Sequence, residues 1–201
     1  ADFYKVKSGK AELLCRHDFG MGNSIGTDCR YGGGAGYRAG KDCLYFISTE
    51  RKSSFIKRLS LDGKTEKLTE DNGSVDCFDI CDGNILFIGL RGMKLPEIYA
   101  CINGEEIQKT GFNETTVQNK IIIQPEKLEF EKDGISLEGF VLKPANYDEN
   151  KRYPGILDIH GGPKTVYGEI FHHEMQFWAN EGYFVFFCNP RGSDGRGDEF
   201  A

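Results

Sequence analysis

Residues 155–169, GILDIHGGPKTVYGE, contain the pattern that decides the fold of this chain. The apolar run 155–159 is followed by His160-Gly161-Gly162-Pro163, and the chain becomes amphipathic after this loop. A short apolar run that ends at a glycine loop is typical of a buried β-strand. On these residues alone the loop has two interpretations. It is a strand-to-helix turn, or it is one wall of an active site whose glycine N–H groups face a substrate oxygen.

The stretch after the loop has the period of a helix. Three large apolar residues recur at the i, i+4 and i+7 positions, namely Phe171, Met175 and Trp178. We therefore predict a helix over residues 169–181, ended by Gly182. The continuous apolar run 183–188 predicts a second buried strand after it.

Strand, helix and strand form one β-α-β unit in the second part of the chain. The two strands should be parallel with a right-handed crossover, because a helix connects them. Loops 160–163 and 189–192 then lie at the carboxyl edge of the sheet, where open α/β sheets bind their ligands. A hairpin predicted over 127–144, with Asp133-Gly134 at its turn, precedes this unit.

The first part of the chain has the pattern of an all-β repeat. A shift of 41 residues aligns 43–69 with 84–110 without a gap, and the turn dipeptides Asp62-Gly63 and Asn103-Gly104 coincide. This spacing is typical of four-stranded propeller blades, with a plain antiparallel meander as the alternative. We predict a partial β-propeller over 1–120 and an incomplete α/β domain over 121–201.

Composition and charge exclude several classes of protein. The chain has 201 residues, 39% of them apolar, and a net charge of −6, which argue for a packed core and against a nucleic-acid partner. No apolar run is long enough to cross a bilayer and no leader opens the chain, so we expect no membrane association and a cytoplasmic location. Seven cysteines without a C-x-x-C pair predict reduced thiols. No residue pattern predicts a metal or a cofactor.

Several short motifs in the second part of the chain together resemble a known family. They are Tyr153-Pro154, Ile156 to Pro163, Phe177-Trp178-Ala179, Gly182-Tyr183, Asn189-Pro190-Arg191-Gly192-Ser193, Gly195 and Gly197. This string resembles the start of the peptidase domain in the prolyl oligopeptidase family, nearest to its acylaminoacyl-peptidase and dipeptidyl-aminopeptidase-like branch. Members carry a β-propeller ahead of an α/β-hydrolase domain. The fold implied is therefore β-propeller blades (all-β) followed by the N-terminal part of an α/β-hydrolase domain, both incomplete.

The resemblance implies a serine peptidase that hydrolyses oligopeptides through Ser, Asp and His in that chain order. It also implies that Gly162 offers a backbone N–H to the oxyanion hole, with Gly161 and His160 shaping that loop. The family's catalytic histidine would follow Ala201, so His160 is not expected to act as the general base. Arg191 is assigned to loop order or substrate contact, with a structural ion pair as the alternative.

No serine of the sequence has the context of a nucleophile. The motif G-x-S-x-G occurs around Ser24, but no apolar strand precedes it and no helix follows it, and Ser193 lacks the first glycine of the motif. We therefore expect a segment of a longer peptidase that is inactive by itself. Its unpaired strands favour a homo-oligomer or self-association of the sheet. An esterase on a similar sheet and a non-catalytic propeller scaffold are the alternatives.

Overall fold

The computed structural model describes residues 1–162 and 164–201, so Pro163 of the predicted turn lies outside the described residues. Strands β1 to β10 span Asp2–Lys7, Lys10–Arg16, Tyr37–Ala39, Cys43–Glu50, Ser53–Ser60, Thr65–Lys67, Gly73–Cys81, Asn84–Arg91, Glu97–Ile102 and Glu105–Gln108. The short helix α1 follows at Glu114–Val117. The remaining elements are β11 (Glu126–Lys132), β12 (Ile135–Leu142), β13 (Gly155–Asp158), α2 (His173–Asn180) and β14 (Phe184–Cys188).

Strands β3 to β10 form two antiparallel sheets of four strands, each a simple meander. Strands β4 and β8, which the 41-residue shift superimposes, occupy the same place in the two sheets, and so do β5 and β9. The predicted repeat of two four-stranded units is confirmed. Closure of these sheets into a propeller stays a prediction, and so does the boundary at residues 120 and 121.

Tight turns connect many of these strands. In four hairpins both central residues have a positive φ, which suits the right-handed twist of the flanking strands. These pairs are Ser8-Gly9, Asp82-Gly83, Asn103-Gly104 and Asp133-Gly134. The turn at Asp62-Gly63 differs, because only Gly63 has a positive φ and the Ser60 N–H donates to the Lys64 carbonyl across a wider loop.

The last four strands form a mixed sheet in the order β11, β12, β14, β13. Strand β13 pairs with β14 in parallel, as predicted, whereas β12 and β14 are antiparallel. The prediction that 155–159 is a buried strand is wrong for one face, since Leu157 is 59% exposed and Ile159 is 74% exposed. Helix α2 covers only the opposite face, where Met175 and Ala179 pack in the core. Neither helix of the described residues has the length and apolarity needed to cross a membrane.

Helix α2 begins at His173 and not at the predicted residue 169, because its start is capped from a distant part of the chain. The carboxylate of Asp28 accepts the backbone N–H groups of His173 and Glu174 at 2.7 and 2.8 Å. These are two of the donors that a helix leaves unsatisfied at its first turn, and a negative charge is favourable there. The apolar residues Ile170 and Phe171 precede the helix and are buried against the first part of the chain.

We expect replacement of Asp28 with alanine to lower the free energy of unfolding by about 0.5–2 kcal/mol, as for other helix caps. Burial alone would raise the pKa of Asp28, but the N–H groups of Glu174 and His173 hold it below its ordinary value of 3.8. A depressed pKa means that the charged form stabilises the fold above pH 3.8 and that this contribution disappears as the pH falls further.

Urea unfolding of the wild type and of Asp28→Ala at pH 7 and pH 3 measures this effect. The difference should shrink at pH 3, because below pH 3.8 the Asp28 carboxyl of the unfolded chain takes up a proton and folding gains less from the charged cap. The matched variant Asp28→Asn keeps one oxygen acceptor and should lose less than Asp28→Ala. An Asp28→Ala variant as stable as the wild type at pH 7 would show that the capping hydrogen bonds contribute nothing.

Residues 17–36, which connect β2 to β3, join the two parts of the molecule. Ile25 pairs with Val166 in a parallel bridge, with the Gly26 N–H donating to the Val166 carbonyl at 2.8 Å. Ile25 and Val166 are fully buried together with Leu90 of the second four-stranded sheet. One hydrophobic cluster is therefore shared by the β-sheets and the region that follows them.

Candidate active site

The loops after β13 and β14 leave the same edge of the mixed sheet. Asp158, the last residue of β13, lies opposite Phe187 in the parallel register. The predicted site loops at 160–162 and 189–193 are therefore neighbours, as expected for the carboxyl ends of parallel strands. The structure brings together His160, Gly161, Gly162 and Arg191 at this edge in the way that the sequence indicated.

A hydrogen bond between His160 and Ser193 ties these two loops together. Their Nε2 and Oγ atoms are 2.8 Å apart, and the His160 ring packs edge-on against Tyr167 with the ring centroids at 5.2 Å. A histidine beside a serine is also the geometry of a nucleophile with its base. Ser193, however, is fully buried and lies in a turn whose N–H donates to the Pro190 carbonyl, so a substrate carbonyl cannot reach it.

Asn189 fixes the chain that follows the glycine loop. Its buried side-chain amide accepts the Tyr167 N–H at 2.7 Å and donates to the Tyr167 carbonyl at 2.9 Å. The Tyr167 hydroxyl donates to the carboxylate of Asp158. Burial, and then this hydrogen bond, raise the pKa of Tyr167, so its hydroxyl stays a neutral donor. The loop is thus anchored at the end of β13 and again at Tyr167.

Asp158, Tyr167 and Asn189 are not among the site residues that the sequence predicts. Asp158 is a charged residue near the end of an otherwise apolar run, and Asn189 directly follows a buried strand. Polar groups in or beside a buried strand require partners, so these two residues are a signal of a fixed loop. The identity of the partner, Tyr167, depends on the tertiary fold and was not readable from the pattern.

Gly162 has a backbone conformation that other residues rarely adopt. Its φ is 140°, and a Cβ atom placed there would lie 2.7 Å from Thr165 Oγ1. Gly161 has no such restriction, because a Cβ atom there would meet nothing within 4 Å. The requirement for glycine is therefore specific to Gly162. The role of its N–H in an oxyanion hole stays a prediction.

Ser24, the serine of the G-x-S-x-G match, lies in the irregular segment 17–36 and not between a strand and a helix. Its hydroxyl donates to the Asp194 carboxylate, and its backbone N–H donates to Thr49 Oγ1 at 2.9 Å. No histidine is hydrogen-bonded to Ser24 in the part of the chain that the structure describes. Ser24 links the first part of the chain to the loop after β14.

Arg191 is exposed and borders a cavity of about 480 Å³, together with Arg51 and Arg196. Within residues 1–162 and 164–201, the arginines in ion pairs are Arg30, Arg38, Arg58 and Arg91. Arg191 therefore has no ion-pair partner among these residues, which leaves the alternative of a structural ion pair without support there. Arg51, which comes from the turn between β4 and β5, was not expected at this position.

Comparison with known proteins gives consistent matches. The model of the prolyl oligopeptidase family matches residues 169–201. The uncharacterized peptidase YuxL of Bacillus subtilis (strain 168) is 34% identical over 160 residues, which are 78% of this chain and 24% of that protein. Dipeptidyl-peptidase 5 of Schizosaccharomyces pombe is 27% identical over 139 residues, which are 66% of this chain and 20% of that protein. The chain thus spans about a quarter of the length of these relatives.

Among solved structures, the acylaminoacyl peptidase of Pyrococcus horikoshii superimposes with a TM-score of 0.80 at 25% identity. The match covers 98% of this chain and 30% of that protein. The β-sheets of the chain resemble the N-terminal region of that enzyme, and the relatives named above are peptidases. The chain belongs to the prolyl oligopeptidase family.

Proposed function

We propose that this chain is part of a serine peptidase that hydrolyses oligopeptides, and that it carries the oxyanion loop of the active site. The observation that supports this most is the loop at the carboxyl edge of two parallel strands, with Gly162 at a φ of 140°. A glycine there lets the backbone turn an N–H group toward a developing oxyanion, where such a donor is worth about 10²–10³ in rate.

In this proposal the surrounding side chains hold the loop and do not react. The hydrogen bond between His160 and Ser193 orients His160 at the start of the loop. Asn189 and Asp158 hold Tyr167 after it. Such fixed contacts keep a donor in place before the substrate binds, so that no reorganisation is needed as the negative charge develops.

The serine, aspartate and histidine of the triad lie outside residues 1–201 in this proposal. We also propose that residues 1–120 belong to a β-propeller, which restricts access to small or unfolded substrates, and that 121–201 begin an α/β-hydrolase domain. The two repeated sheets and the parallel pair β13 and β14 support this division. All seven cysteines are free thiols, which supports a cytoplasmic location.

A fluorophosphonate probe, which captures activated serines, tests the proposed function on the full-length protein. We expect labelling at one serine outside residues 1–201, and we expect it to persist in Ser24→Ala and in Ser193→Ala. Residues 1–201 expressed alone should not be labelled. Labelling at Ser24 or Ser193, or no labelling of a folded full-length protein, would contradict the proposal. Hydrolysis of oligopeptides, followed by mass spectrometry of the products, then separates a peptidase from an esterase.

A further inference from the structure

We propose that the cavity between the β4–β5 turn and the loop after β14 binds the free C-terminal carboxylate of a peptide substrate. The cavity measures about 480 Å³, and its positive groups are Arg51, Arg191 and Arg196. Glu199 is its acidic residue. This proposal rests on the peptidase function proposed above, because that function makes a peptide the expected ligand.

The positive charge of this cavity is only partly compensated. The Arg196 guanidinium donates to the Ser136 carbonyl at 2.6 Å and lies 4.1 Å from the centroid of the Phe200 ring. The side chains of Arg51 and Arg191 make no ion pair or hydrogen bond within the described ranges of the chain. Three guanidinium groups and the single carboxylate of Glu199 line this cavity, and Arg51 and Arg191 have no ion pair with it, which favours an added anion between them. A carboxylate suits them because its two oxygens match the planar donor fork of arginine.

The backbone that carries these arginines is held in place. The Arg51 N–H donates to the Gly195 carbonyl at 2.5 Å, which joins the β4–β5 turn to the loop that also carries Arg191. A Cβ atom at Gly195 would lie 2.4 Å from the Arg51 carbonyl oxygen, so the two segments are in close contact. The backbone of Arg51 is therefore held against the loop that carries Arg191, and less entropy is lost when both arginines contact one ligand.

The walls and the location favour a peptide end over a small inorganic anion. Phe19, Ile135 and Phe200 supply apolar surface beside the arginines, which suits the side chain of a C-terminal residue. Arg191 lies two residues from Ser193, a distance of at most about 7 Å along the chain, and Ser193 is hydrogen-bonded to the proposed oxyanion loop. A carboxylate in the cavity would thus lie a short peptide length from the carbonyl that is attacked.

Three matched peptides test this in the full-length protein: one with a free C-terminal carboxylate, its C-terminal amide, and the same amide with aspartate as the last residue. We expect the free acid to be preferred over the amide by about tenfold in kcat/KM, through a lower KM, which corresponds to about 1.4 kcal/mol. Arg51→Gln and Arg191→Gln should each reduce this ratio below about threefold. If the aspartyl amide is hydrolysed as fast as the free acid, the cavity binds a side-chain carboxylate, and the proposal of a site for the terminal carboxylate is overturned.

Arg152→Gln is the matched control, since Arg152 is exposed and does not line the cavity. It should keep the wild-type ratio. Arg51→Lys keeps the charge without the donor fork and should give an intermediate ratio, which guards against a folding defect as the explanation. Equal rates on acid and amide in the wild type, or an unchanged ratio in Arg51→Gln, would overturn the proposal.

A binding measurement separates this inference from the proposed function. Calorimetry on the full-length protein should show N-acetylphenylalanine binding about tenfold more tightly than N-acetylphenylalaninamide, and the difference should vanish in Arg51→Gln. If no peptide is hydrolysed and no serine is labelled, the peptidase proposal fails, while this comparison still decides what the cavity binds. Equal affinities for acid and amide would refute the carboxylate site even in an active enzyme.

Discussion

Replacing Gly162 with proline is expected to lower the kcat of the full-length peptidase by about 10²–10³. Proline has no N–H to offer an oxyanion, and its ring fixes φ near −65°, whereas Gly162 has a φ of 140°. The missing N–H acts on the transition state, because the oxyanion forms only after attack on the carbonyl. The loss should therefore appear in kcat, with KM changed much less.

Gly161→Ala provides the matched comparison for this prediction. A Cβ atom at Gly161 meets nothing within 4 Å, and the backbone N–H is retained, so the loss of kcat should stay below about tenfold. Steady-state kinetics on one peptide measures the kcat of both variants, and circular dichroism verifies that each is folded. Turnover of Gly162→Pro within a factor of three of the wild type would exclude Gly162 as an oxyanion donor.

The second large effect is on stability. We expect Asn189→Leu, which keeps the size of the side chain but removes its amide, to lower the free energy of unfolding by about 2–4 kcal/mol. The backbone N–H and carbonyl of Tyr167 would each lose a partner in a buried position, where an unsatisfied polar group is costly. The same change should speed hydrogen exchange at the Tyr167 amide, because the loop after β13 loses its anchor.

Denaturant unfolding and hydrogen exchange measured by mass spectrometry together test this expectation. Asn150→Ala is a suitable control, since Asn150 is exposed and, among residues 1–162 and 164–201, hydrogen-bonds only to the nearby Asp148. Its effect should stay within about 0.5 kcal/mol. An Asn189 variant as stable as the control would mean that solvent or other groups satisfy Tyr167 instead.

Much of the fold was predictable because its signals are local. The turns at Asp82-Gly83 and Asn103-Gly104 need a positive φ at both central residues, which Asp, Asn and Gly adopt more readily than other residues. The 41-residue repeat places Asp62-Gly63 and Asn103-Gly104 in register, although the two turns differ in conformation. The apolar run 183–188 and the helical period before it predict a parallel strand pair, since a crossover helix permits that topology. Because parallel strands end at the same edge of a sheet, the sequence also predicts that His160 and Arg191 lie close together.

The rest depends on contacts between distant residues. Helix α2 starts at His173 because Asp28, 145 positions away, accepts its first N–H groups, and no periodicity in residues 169–172 reveals this. Arg51 lines the cavity beside Arg191 because a turn of the first sheet touches the loop at Gly195. Such pairings are set by how the sheets pack, which the pattern of a single strand or helix does not contain.

The bridge formed by Ile25 and Val166 has a consequence for synthesis of the chain. Ile25 is fully buried only when the segment near Val166 exists, and the neighbouring contact between Thr27 and Phe171 spans 144 positions. A ribosome that adds 5–20 residues per second needs roughly 7–30 s to make that stretch. During this interval Ile25 lacks the partner that Val166 provides, so we expect the nascent chain to expose Ile25 until that stretch has been made.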